Sequence, residues 1–218
     1  MKNCILILLL GFLIYSCDSS SEENNDAKAN ESDSHQTENN EEVENGEMEE
    51  AHLSLKESAN EVLKALASYS FDDLIPFTTE KKEIIFSPYL TFTKEDAACL
   101  SPQALKENKA NNAVLYWGIQ DGTGDEINMT VENYFKRYVN RGDYLSKEAE
   151  IIENGIKIEG NSINVISDIF PNAEYISYYL PHDENDAAEM SWKTIVLVFE
   201  RVNNELKLNA VVNHEWTI

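Results

Sequence analysis

Between residues 121 and 132 the chain reads DGTGDEINMTVE, and oxygen-bearing side chains recur there at a spacing that suits calcium. Asp121, Thr123, Asp125 and Glu132 fall at the ligand positions of a calcium-loop frame. Two positions break the frame. The sharp turn needs a glycine where Glu126 stands, and an apolar residue where Asn128 stands. Leu115-Tyr116-Trp117 also enters the loop with the character of a strand, whereas the motif requires a helix. A phosphate cradle fails too, because no GK[ST] follows and the acids repel anions. The stretch is therefore expected to carry the chain from a strand to a helix, with Gly122 and Gly124 supplying positive φ. Asp121, Asp125 and Glu126 remain only as a weak calcium set, and no cofactor is expected.

His214 is the second residue with chemical potential. If the last strand runs without a bulge, His214 and Trp216 share the apolar face of Leu208, Ala210 and Val212. A titratable ring on the concave side of a sheet can serve as acid, base or ligand anchor. The other reading is a core histidine satisfied by a hydrogen bond. No second histidine stands at ligand spacing, so zinc is not expected. Trp117, with Tyr175, Tyr178, Tyr179 and Trp192, could line a sugar or apolar pocket, or simply pack a core. The acidic loop His182-Asp183-Glu184 reads as a solvated hairpin connection. No nucleophile elbow, HExxH or dinucleotide fingerprint occurs.

The elements that must position these residues begin near residue 51. Ser54-Leu55-Lys56-Glu57 is a capping box, and Leu55, Ala59, Val62, Leu63 and Leu66 recur at helical spacing over 54–68. Ser70 starts a second, short helix that Pro76 curtails. Ile84-Ile85-Phe86 is expected to be a strand, and Thr93–Asp96 and Ser101-Pro102 to be helix starts. Val114–Ile119 reads as a strand, and Thr130 caps a helix ending near Gly142. Residues 174–180, 192–201 and 206–216 read as strands, the last two joined by a turn at Val202-Asn203-Asn204-Glu205. No internal repeat is present, and 51–218 is long enough for one core.

The N-terminus indicates a compartment. After Lys2 comes the apolar run ILILLLGFLIY, too short to span a bilayer and typical of a signal h-region. Ile14-Tyr15-Ser16-Cys17 then resembles a bacterial lipobox, which implies cleavage after Ser16 and lipidation of Cys17. Several acyl chains on Cys17 would tether the protein durably, at about 0.8 kcal/mol per inserted CH₂. Residues 1–16 are thus read as a lipoprotein signal peptide and 17–50 as a lipidated, disordered acidic linker. Residues 18–50 carry 13 acids and one base. Those acids also resemble the export signal of surface lipoproteins in the Bacteroidota, although a solvated linker has the same composition. The formal charge of the whole chain is −23, which disfavours nucleic acid and anionic headgroups as partners of the folded part. A cationic partner or divalent ions remain open. With Cys4 in the signal segment and Cys17 lipidated, Cys99 is the thiol of the folded part, expected to be buried and stable without an intramolecular disulfide.

The helix pair with its ALASYSFDDLIPF junction, the IIFSPY strand entry and the LVFERVNNELKLNAVVNHEWTI hairpin together resemble the NTF2-like fold. That likeness implies a cone-shaped α+β domain over 51–218, with helices packed on a curved, mostly antiparallel sheet. FSPY, WGIQDGTG and WTI are similar to uncharacterised bacterial envelope proteins, which implies no particular activity. The expectation is an envelope protein, anchored through Cys17 in the outer membrane or at the cell surface, whose domain binds a ligand or envelope partner without catalysis. Two alternatives stand beside it: an isomerase- or hydrolase-type enzyme working around His214, and an inhibitor or immunity-type lipoprotein with an acidic binding surface.

Overall fold

The structure is a computed structural model that describes residues 53–79, 83–160 and 162–217. Ser16, Cys17 and the readings of 1–16 and 17–50 lie outside the described residues. Among the described residues no helix is long and apolar enough to cross a membrane.

Helix α1 (Leu55–Ser68) begins at the capping box. The Ser54 N–H donates to Glu57 Oε2 at 2.9 Å, and the Glu57 N–H donates to Ser54 Oγ at 3.3 Å. These bonds hold the Glu57 carboxyl below its ordinary range. Leu55, Ala59, Val62, Leu63 and Leu66 are all buried, as their spacing requires. Tyr69 ends the helix in the left-handed region at φ 57°, and the Ser70 N–H reaches back to the Ala65 carbonyl. A tight helical segment, Phe71–Phe77, follows and contains Pro76.

A six-stranded sheet takes the order β2-β1-β8-β7-β6-β5. Its strands are β1 (Ile84–Ser87), β2 (Ala98–Leu100), β5 (Glu150–Glu153), β6 (Glu174–Leu180), β7 (Lys193–Val202) and β8 (Glu205–Glu215). All neighbours are antiparallel except β1 and β8, which run parallel. The architecture is mixed α+β, with a large curved sheet and few helices. Both faces of the central strands are covered, so Thr194–Phe199 of β7 is an unbroken buried run. Asn203 and Asn204, at φ 51° and 65°, close the β7–β8 hairpin, where asparagine tolerates the left-handed conformation best after glycine.

Several expectations need correction. Thr93–Asp96 starts no helix. Thr93 Oγ1 donates to Asp96 Oδ2 at 2.8 Å and accepts from the Asp96 N–H at 3.3 Å, so helix-cap chemistry closes a turn that leads into β2. The 121–126 loop delivers no helix either. It is the tip of a two-stranded hairpin, β3 (Val114–Ile119) against β4 (Glu126–Thr130), with Gly122 and Gly124 at positive φ as expected. After α2 (Pro102–Ala110) and this hairpin comes α3 (Val131–Tyr134), capped by Thr130. It widens into a π-helical turn over Phe135–Val139, where the Asn140 N–H reaches the Phe135 carbonyl. A further short helix, α4 (Ile166–Ile169), precedes β6. Cys99 is only half-buried, not the fully buried residue that counting cysteines suggested.

The most consequential correction is a bulge in β8. Val198 pairs with Ala210 but Phe199 pairs with Leu208, so Asn209 is an extra residue. Because side chains alternate, one extra residue exchanges the faces of everything beyond it. Leu206 and Leu208 point into the core under α1 and α3, whereas Ala210 and Val212 join a second cluster on the opposite face with Ile85, Leu90, Ile166, Val196 and Val198. His214 therefore parts company with Leu208, although it keeps Ala210 and Val212.

Candidate functional site

The helix-covered face is closed. Trp117 is wholly buried, stacks on Tyr134 with centroids 3.8 Å apart, and donates its indole N–H to the Met129 carbonyl at 2.9 Å. Phe86 meets it edge-on, and Phe135 and Tyr138 fill the adjoining space. Trp117 is thus a core residue and lines no cavity beside His214, contrary to its candidacy as a ligand contact. Tyr178 is buried on the same face, its hydroxyl donating to Asn60 Oδ1 at 2.8 Å.

The opposite face ends differently. The parallel strands β1 and β8 finish side by side, and beyond their ends lies a cavity of about 620 Å³. Four regions distant in sequence wall it: Tyr89–Thr91 after β1, Ile119–Asp121 at the end of β3, Glu159 and Gly160 with Ser162 and Ile163, and the tail from His214. Thr91 ties two of them together, donating from Oγ1 to the Ile163 carbonyl at 2.9 Å and accepting from the Ile163 N–H at 3.3 Å. Such a volume lies within the range of small-molecule sites, about 300–1,000 Å³.

His214 forms part of the wall at 1% exposure, with its ring edge-on to Trp192 at 4.7 Å. Its Nε2 has no hydrogen-bond partner, an uncommon state for a buried polar atom. Across the strand pair, Thr194 Oγ1 is likewise unpartnered. Burial pushes the His214 imidazole down to about 4, against a smaller upward pull from Glu159, so the ring is neutral at pH 7. Trp216 stands at the cavity with 40% of its surface exposed, and Ile119 and Ile163 are exposed beside it.

Two carboxylates line the space, Asp121 without a basic partner among the described residues and Glu159 with Lys157 as its salt-bridge partner. Asp121 accepts only from its neighbour's Gly122 N–H. Glu159 accepts the Tyr179 hydroxyl at 2.8 Å, with Lys157 3.8 Å away and lying over the Tyr179 ring. The third acid, Glu215, is committed elsewhere: it is buried and bridges Arg137 and Arg141 from the π-helical end of α3. That bridge fixes the last residue of β8 and hence the start of the tail that carries Trp216.

The structure thus brings His214, Trp216 and Asp121 to one cavity, although the sequence offered them as separate ideas. It leaves Asp125 and Glu126 outside. Glu126 accepts from Asn128 along β4, and the Asp125 N–H bonds Thr123 Oγ1 in the hairpin tip. Among the described residues no cluster of three or more His, Cys, Asp or Glu is arranged to hold a metal. Sequence reasoning missed Tyr89, Glu159, Ser162 and Ile163. The available signal was an apolar Ile158 and Ile163 within a glycine- and asparagine-bearing stretch, where a solvated loop has no need of them.

No family model matches the chain, and no curated protein matches it. Among solved structures, a DUF4783 family protein from Bacteroides ovatus ATCC 8483 aligns over 72% of this chain and 94% of its own, at 8% identity and a TM-score of 0.28. A likeness at that level carries no argument about what the cavity does.

Proposed function

We propose that this chain is a lipid-anchored cell-envelope protein whose domain binds a ligand, without catalysis, in the cavity between His214 and Trp216. The observation that carries the reading is an exposed Trp216 beside His214 at one cavity of about 620 Å³. The lipobox-like Ile14-Tyr15-Ser16-Cys17 supports the anchor, and the acidic 17–50 linker supports display away from the membrane. An NTF2-like cone is the fold this reading favours. It is supported by α1 packed on the sheet and by the β1–β2 hairpin joined in parallel to the last strand.

Binding suits this histidine better than proton transfer. A general base works best with a pKa near the operating pH, and a ring held at about 4 is a weak base and no acid at neutrality. Native mass spectrometry of protein taken from its own host tests the reading. The wild type is expected to carry an added mass that Trp216→Ala loses. Identical bare masses for both would overturn it. For the anchor, Cys17→Ser is expected to release the protein from membranes, and retention would contradict lipidation.

A further inference from the structure

We infer that the cavity takes an uncharged oligosaccharide; this deepens the binding reading above and rests on it. The first ground is shape and surface. An exposed indole at the rim offers an aromatic face that the C–H side of a sugar ring can cover. The cavity is roomier than one hexose requires, which favours two or three linked rings.

The second ground is hydrogen-bond chemistry. Asp121 and Glu159 present carboxylates that only accept, whereas the Gln120 amide both donates and accepts. Sugar hydroxyls also do both, so one ligand can feed the carboxylates and answer the amide.

Other ligand classes meet specific obstacles. An aliphatic chain would desolvate Asp121 and Glu159 without pairing them. A sugar acid or phosphate would meet carboxylates, with no lysine or arginine in the wall itself. An alkylammonium satisfies the acids but supplies no acceptor and fills little of the space.

Calorimetric titration of the full chain tests this, with maltotriose, cellotriose, mannotriose and triacetylchitotriose set against trigalacturonate and hexylammonium. At least one neutral trisaccharide is expected to bind more tightly than both charged probes. Trp216→Ala should weaken that binding about tenfold or more. Asp121→Asn should weaken it severalfold with the melting curve unchanged, since Asp121 lies at an exposed hairpin tip. Equal or tighter binding of a charged probe, or no binding by any of the four neutral trisaccharides, would overturn the inference. If the saccharides fail while host-derived protein still carries a Trp216-dependent mass, the ligand class is wrong and the binding reading stands. If that mass is absent as well, both fall.

Discussion

The face of the sheet under α1 and α3 holds large, closely packed aromatic side chains, among them Trp117 and Tyr178, whose indole N–H and hydroxyl are both hydrogen-bonded. The opposite face, at the shared end of β1 and β8, holds a cavity, an unpartnered imidazole and an exposed indole. One strand builds both regions. Before Asn209, β8 contributes Leu206 and Leu208 to the closed side; beyond it, Ala210, Val212 and His214 line the other. A closed aromatic core gives the domain its stability. The region left open is where we propose that a ligand binds.

Inserting one residue between Asn209 and Ala210 would break that division most severely. With the bulge already filled by Asn209, Ala210 and Val212 turn toward α1, while Asn213 and Glu215 turn to the other face. Glu215 would then leave Arg137 and Arg141. A loss of more than about 4 kcal/mol is expected in urea melts, beyond the range of most single substitutions. A near-native midpoint would mean that the register beyond the bulge does not set the faces.

Trp117→Ala comes next. It empties a buried site against Tyr134 and Phe86 and should cost about 3–5 kcal/mol. A loss below about 1 kcal/mol would show that this side is less closely packed than its geometry implies.

Acid provides the third test, aimed at the unfinished side. The folded-state pKa of His214 is depressed to about 4, so between pH 6.5 and pH 4 the unfolded chain binds a proton that the folded chain does not. Stability from the neutral ring is fully present above pH 6.5 and is lost as pH falls toward 4, on the order of 3 kcal/mol. Melting temperature should drop over that window, and His214→Gln should flatten the drop. An unchanged slope in the variant would remove His214 from the account.

The smallest effect is expected at Trp216→Ala, within about 0.5 kcal/mol, because the indole is exposed and lies beyond the end of β8. A stability loss like that of Trp117 would make Trp216 a packing residue, and the two sides would no longer contrast.

Where one local rule decides, the fold was legible in the sequence. The Ser54–Glu57 box, the spacing of Leu55 to Leu66 and the Asn203-Asn204 turn each act within a few residues, and each is found as read. Strand β4 was legible too, since Glu126-Ile127-Asn128-Met129-Thr130 alternates polar and apolar, but a calcium frame laid over it hid the pattern. The bulge was not legible. Asn209 is an ordinary residue in a β-rich run, and its extra place exists only in the pairing with β7. That one residue moved His214 away from the helix-covered face, so the site inherited the uncertainty of a long-range register. The cavity was hidden for the same reason, because four distant segments meet only once β1 lies parallel to β8.

The most direct test of the central claim is a crystal structure of the folded domain purified from its native host. It should show ordered density in the cavity, against the Trp216 ring. An empty cavity would contradict it.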